Sequence, residues 1–127
     1  MPKKEFIVDG EKFSTLAEAA TVFSSSLGFV SPWNENLDAF NDMLHGGFGT
    51  PDEGFVLIWR HSDLSRERLG FIETLRWLEE HIKSCHPSNV QTFKQRIAAA
   101  KENEGETLFD KLVEIIRGHK NIKLRLE

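Results

Sequence analysis

The distribution of apolar residues predicts three short β-strands. The first, Glu5–Val8, runs into Asp9 and Gly10, a pair that favours a turn with a positive φ at the glycine. The second, Phe55–Trp59, is apolar at every position, which is typical of a strand buried on both faces of a parallel sheet. The third, Ile122–Leu126, alternates apolar and cationic side chains, and this pattern indicates an edge strand with one face in water.

The segments between these strands have apolar residues at helical spacing, bounded by capping residues, glycine or proline. The predicted helices are residues 16–27, about 35–44, 71–82, 88–102 and 107–118. Their starts include capping boxes at Thr15 with Glu18 and at Ser88 with Gln91, and Thr107 with Asp110 opens the last helix. Strands separated by helices require right-handed crossovers. The sequence therefore predicts an α/β fold with a small three-stranded parallel sheet, Phe55–Trp59 at its centre and helices packed against it.

Length and composition restrict the class of protein. A chain of 127 residues is the size of one domain, and 39% hydrophobic with 28% charged residues is ordinary for a globular protein. No apolar run approaches the roughly 20 residues of a membrane-spanning helix, and no signal peptide is evident. The single cysteine, Cys85, excludes an internal disulfide and fits a reducing compartment. We expect a cytoplasmic monomer without cofactor or metal.

The net charge of −4, from 16 Lys and Arg against 20 Asp and Glu, is unevenly distributed. Between Lys12 and Arg60 the sequence contains six acidic residues and no Lys or Arg. A nucleic-acid-binding surface needs the opposite distribution, so binding of DNA or RNA is not expected through this half. A cationic partner is the natural complement, although the same composition also fits an ordinary solvated acidic surface.

The predicted second helix concentrates this acidity. Its apolar residues fall on one side, whereas Glu35, Asp38 and Asp42 fall on a separate stripe about 60° wide. Asp38 and Asp42, four residues apart, repel each other by roughly a few tenths of a kcal/mol, and no Lys or Arg of the helix relieves them. A local conflict of this kind is expected at functional sites, although an ordinary surface also tolerates one this small.

The same helix carries a resemblance to a known family. The run Trp33–Leu44, with Glu35–Ala39 at its core, is followed by the strand Val56–Arg60 and preceded by Val8–Glu11. Together these motifs resemble the barstar family of intracellular ribonuclease inhibitors. The resemblance covers about residues 5–60 and, through the order and length of the last helix and strand, residues 106–127. It implies one barstar-like domain over residues 1–127, in which about 61–105 is an enlarged helical segment.

The resemblance also implies a function. Such a protein is not an enzyme; it blocks the active site of a basic, barnase-like ribonuclease with the acidic helix and the loop before it, and its carboxylates stand in for substrate phosphates. Asp42 matches the central aspartate of the contact, and Asp38 the aspartate one turn earlier. The other implied contact residues are Trp33, Asn36, Asn41, His45, Gly46 and, on the last helix, Glu114.

Two positions depart from the family pattern. Asn41 stands where the family has a tryptophan, and Pro32 where it has a tyrosine. Aromatic residues often contribute much of the binding energy of an interface, so their loss bears on the identity of the partner. The alternative is a barstar-fold interaction or immunity module for a different cationic protein.

The residues also allow two rival sites. His81, Cys85 and His86 have a spacing compatible with zinc ligands on one helix face, but no second pair of ligands is evident. Asp38 and Asp42 would suit a glycosidase-like acid pair if they flanked a cleft. Their position on one helix face favours the docking hypothesis instead.

Overall fold

The computed structural model describes residues 3–30 and 32–127, and its centre is a three-stranded sheet. The strands are β1 (Glu5–Asp9), β2 (Phe55–Arg60) and β3 (Ile122–Leu126). All are parallel, and β2 lies between the other two. In this register Trp59 pairs with Val8 on one side and Leu126 on the other. The predicted fold class and central strand are confirmed.

Within the described residues six helices connect and flank the strands. They are α1 (Leu16–Leu27), α2 (Leu37–Leu44), α3 (Ser62–Arg68), α4 (Phe71–His81), α5 (Val90–Lys101) and α6 (Leu108–Arg117). None of these helices combines the length and apolar character needed to cross a bilayer. The helix α2 begins two residues later than predicted because Asn36 caps it, its Oδ1 accepting a hydrogen bond from the Ala39 N–H at 3.0 Å.

Two local predictions are wrong. Gly10 does not have a positive φ; it begins a short 3-10 turn in which a Cβ atom would lie 2.2 Å from Ser65 Oγ. The position requires glycine because of this close approach. The capping box expected at Ser88 and Gln91 does not form, and His86 Nδ1 instead accepts a hydrogen bond from the Ser88 N–H at 3.1 Å.

The core is built around Trp59. Its ring is fully buried, with ring centroids 6.2 Å from Phe13, 5.1 Å from Phe23 and 5.1 Å from Phe109. The indole Nε1–H donates a hydrogen bond to Ser65 Oγ at 3.0 Å. The β2 strand is thereby joined to α1, α3 and α6 through one side chain.

Phe40 attaches α2 to this core. Its ring is fully buried and lies 5.5 Å from Phe23, and it stacks on Trp33 at 4.5 Å. The same helix also contacts α6. The orientation of α2 is therefore set by packed side chains on two sides.

The segment 61–105 comprises α3, α4 and α5. The helix α4 contributes Trp77 and Leu78 to the core, whereas α5 buries only Ala100 among its residues and packs mainly on α4. Within the fold, α5 is therefore an outer helix.

Candidate protein-docking site

The exposed face of α2 carries Asp38 and Asp42. Both side chains are exposed, and among the residues that the structure describes neither has a Lys, Arg or His nitrogen within 4.0 Å. Asp42 lies in the last turn, where the helix dipole is negative and no basic residue offsets it. The two carboxylates share one helix face, whereas the acid pair of a glycosidase flanks the scissile bond from separate positions. They are available to the cations of another molecule.

Glu35 does not belong to this acidic stripe, contrary to the prediction. It precedes α2, and its carboxylate binds the guanidinium of Arg76 in α4. Arg76 also donates to Glu73, from Nε at 2.7 Å and from Nη2 at 2.8 Å. These hydrogen bonds, to Glu73 first and then to Glu35, raise the pKa of Arg76. A cation from α4 thus neutralises Glu35 but leaves Asp38 and Asp42 unpaired.

Trp33 is part of the core, which corrects its prediction as a contact residue. Its exposed fraction is 2%, and its ring stacks on Phe40 beneath α2. Its Nε1–H has no hydrogen-bond partner among the described residues. Trp33 therefore supports α2 from inside the protein, and its side chain is not on the surface.

A cleft of about 430 Å³ lies between α2 and α6. The predicted contact residues that line it are Asp38, Asn41, His45 and Glu114. Asn36 lines a neighbouring cleft that shares Asp38 with the first. The two clefts therefore bring together five of the predicted contact residues, from helices far apart in the chain. Asp42 and Gly46 are not among the residues that line either cleft.

The residue His119, which follows α6, joins the two sides of this cleft. Its ring is 7% exposed, its Nε2 lies 2.8 Å from Asn41 Oδ1, and it meets the His45 ring edge-on at 4.5 Å. Burial lowers the pKa of His119, and the neighbouring His45 lowers it further. The lowered pKa favours the neutral ring, and with Asn41 Oδ1 as the acceptor its proton lies on Nε2.

Lys111 of α6 is a cation of the site that sequence reasoning missed. Its side chain lines the cleft with Asp38, and its Nζ lies 3.8 Å from Glu114 Oε1. Glu114 is therefore partly neutralised, unlike the carboxylates of α2. No local pattern marked Lys111, because its neighbours on α2 are remote in sequence.

The loop after α2 adds a further acidic residue, Asp52. Gly46 in this loop has a φ of +118°, and a Cβ atom there would lie 3.0 Å from Asp52 Oδ1. Glycine suits Gly46 because side-chain-bearing residues rarely adopt that conformation. The loop is joined to the one before α2 by a hydrogen bond from the Val30 N–H to the Phe48 carbonyl at 3.0 Å. The two loops that flank α2 are thus connected.

The zinc alternative lacks its geometry. His81 Nδ1 lies 3.0 Å from the Trp77 carbonyl oxygen, and His86 Nδ1 lies 2.7 Å from Ser88 Oγ. Over the described parts of the chain, His81, Cys85 and His86 do not bring their ligand atoms within 4.8 Å of one another. These side chains are used in local hydrogen bonds.

Comparison with known proteins agrees with the resemblance drawn from the sequence. No match is found among curated proteins. The family described as Barstar (barnase inhibitor) matches residues 3–98, well over half of the chain. The match includes α2 and β2 and continues through α3 and α4, but it ends before α6, so it does not cover Glu114. By this match the chain belongs to the barstar family.

Proposed function

We propose that this protein is a cytoplasmic inhibitor, without enzymatic activity, that binds a basic ribonuclease of the barnase type. In this proposal α2 and the adjoining loops cover the active site of the ribonuclease. Membership in the barstar family supports an inhibitor-type function. The observation that carries the assignment of the site is the pair Asp38 and Asp42, exposed and without an ion-pair partner in the described chain, on a helix held from behind by Phe40.

The energetics favour this use of the helix. Each hydrogen bond between a carboxylate and a guanidinium in a water-poor interface contributes roughly 1.5–3 kcal/mol. The repulsion between Asp38 and Asp42 costs roughly a few tenths of a kcal/mol, so a cationic active site more than offsets it. Because Trp33 and Phe40 already hold α2 in place, binding orders little additional backbone.

The proposed contact surface is centred on Asp38 and Asp42. It is completed by Asn36, His45 and Glu114, which line the two clefts, and by Gly46 in the loop after α2. Asn41 belongs to it indirectly, since its carbonyl oxygen is bonded to His119. Trp33 is left out because it is buried.

The test is inhibition of a barnase-type ribonuclease by the purified protein and by three isosteric variants. We expect Asp42→Asn and Asp38→Asn each to weaken inhibition about 10- to 150-fold, the equivalent of one charge-assisted hydrogen bond. The matched control is Asp63→Asn. Asp63 is an exposed acid at the start of α3. It lies next to the carboxyl end of β2, at the opposite end of the sheet from the cleft. Its replacement should leave inhibition unchanged within about twofold.

Either of two results would contradict the proposal. Unchanged inhibition by Asp42→Asn would place the contact surface elsewhere on the protein. Absence of inhibition by the unmutated protein would favour the second candidate, a barstar-fold module for another cationic protein. That candidate is favoured by Asn41, which is half-buried and bonded to His119 where the resemblance expects a tryptophan.

A further inference from the structure

Three polar side chains join α2 to the segment after α6. His119 is bonded to Asn41 in the middle of α2 and contacts His45 at its end. The charged groups that face the same cleft are Asp38 from α2 and Lys111 and Glu114 from α6. Among the hydrogen bonds of the described chain, no other one joins a side chain of α2 to α6 or to the segment after it. The cluster Asn41, His45 and His119 is therefore the polar part of this helix junction.

The His119 ring can take up a second proton only at Nδ1, because Nε2 already donates to Asn41. The resulting charge would lie on a ring that is 7% exposed and 4.5 Å from the His45 ring. Lys111 opposes that charge, while Asp38 and Glu114 favour it. Burial is the largest effect, and the pKa of His119 lies below its ordinary value.

We propose that His119 is a positioning residue of the docking surface, and that tight binding of the ribonuclease requires its ring to be neutral. The neutral ring holds Asn41 and His45, and so sets the orientation of the half of α2 that carries Asp42. A charged ring still donates to Asn41 from Nε2, but it places a charge beside the His45 ring, in the cleft that the ribonuclease would cover. This role rests on the proposed function and deepens it, since it makes the affinity for the partner depend on pH.

The sign of the dependence follows from the burial of the ring. A partner that covers the cleft removes water from His119 and favours the neutral form further, so the pKa of His119 falls again in the complex. The affinity for the ribonuclease is then constant at pH values above the pKa of His119 in the free protein. It decreases as the pH falls through that pKa. Each unit by which binding lowers the pKa corresponds to about a tenfold loss of affinity.

The decisive variant is His119→Gln, whose side-chain amide can still donate to Asn41 but does not titrate. Between about pH 7.5 and 5, we expect the unmutated protein to lose at least about twofold more affinity for the ribonuclease than this variant, because the loss is limited by how far the pH falls below the lowered pKa of His119. Both proteins are measured against the same ribonuclease, so titration of the ribonuclease cancels in the ratio. His61→Gln, an exposed histidine at the end of β2, is the control and should follow the unmutated protein. Parallel pH profiles for His119→Gln and the unmutated protein would overturn the proposal.

A measurement without partner separates this proposal from the proposed function. In a pH titration followed by NMR, the amide signals of Asn41 and of residues 37–45 should shift with the same midpoint as the His119 ring. They should lose this response in His119→Gln or, if that variant does not fold, in Asn41→Ala. Amide signals of α2 that do not shift as His119 titrates would refute the positioning role. A response in the absence of any ribonuclease binding would instead refute only the proposed function.

Discussion

Replacement of Glu73 with glutamine should destabilise the protein, because this carboxylate connects three parts of the fold. Glu73 is 8% exposed and accepts a hydrogen bond from the Leu16 N–H, the first residue of α1, at 2.7 Å. It also accepts two hydrogen bonds from Arg76, which in turn binds Glu35 just before α2. Glu73 thus links α1 and α4 with the start of α2.

The expected loss can be worked out bond by bond. Charge-assisted hydrogen bonds contribute roughly 1.5–3 kcal/mol and neutral ones roughly 0.5–1.5 kcal/mol, so a bond that the glutamine oxygen keeps in Glu73→Gln loses about 1 kcal/mol. The glutamine NH2 group donates and cannot accept, so a bond from Arg76 is lost. The hydrogen bond to Leu16 is buried, so we expect its full loss of about 1 kcal/mol. The two bonds to Arg76 together count for only about 1 kcal/mol, because water replaces part of a contact whose arginine side chain is 44% exposed. The total is about 2 kcal/mol.

Urea unfolding measures this loss. For a slope of about 2 kcal/mol/M, the midpoint should fall by about 1 M with the slope unchanged. The control is Glu79→Gln in the same helix, an exposed glutamate without an ion pair in the described chain, which should change stability by less than about 0.5 kcal/mol. A midpoint for Glu73→Gln no lower than that of the control would refute the reasoning.

Two further predictions concern the backbone and the association rate. Gly54→Ala should cost about 3 kcal/mol or more, because Gly54 has a φ of +106° and its Cβ would lie 2.1 Å from the Asn121 carbonyl oxygen. Gly47→Ala, with a φ of +85° and open space around its Cβ, should cost only about 1 kcal/mol; equal urea midpoints for the two would contradict this. The association rate with a basic ribonuclease, measured by stopped flow, should fall by about tenfold or more between about 0.02 and 0.5 M salt. A rate independent of salt would exclude electrostatic steering.

The sheet and the helices could be predicted because their signals are local. The uninterrupted apolar run Phe55–Trp59 shows a strand covered on both faces, and it is the central strand of the sheet. The side chains of Thr107 and Asp110 each accept a hydrogen bond from the other residue's backbone N–H, because the two residues are three positions apart. Periodicity and caps depend on neighbours within a few positions, so the sequence alone contains them.

The charge state of the candidate site could be predicted only in part. Angular position on the helix placed Asp38 and Asp42 on one exposed face, as observed. It also placed Glu35 with them, yet Glu35 binds Arg76, 41 positions away. Asn41 and His119, which are bonded across the cleft, are 78 positions apart. A count of charges inside one helix cannot reveal cations or hydrogen-bond partners that belong to other parts of the chain.

The contact between Asn41 and His119 changes what the missing aromatic residue means. By resemblance alone, Asn41 is a contact position that has lost a tryptophan and with it apolar area at the interface. In the fold its carbonyl oxygen is bonded inside the protein, and Trp33 is buried under α2. An interface centred on Asp38 and Asp42 with so little exposed aromatic surface depends more on its charges. If the proposed function holds, affinity should therefore fall more steeply with salt here than in a family member that keeps both aromatic residues, and a matched salt series on the two proteins measures the difference.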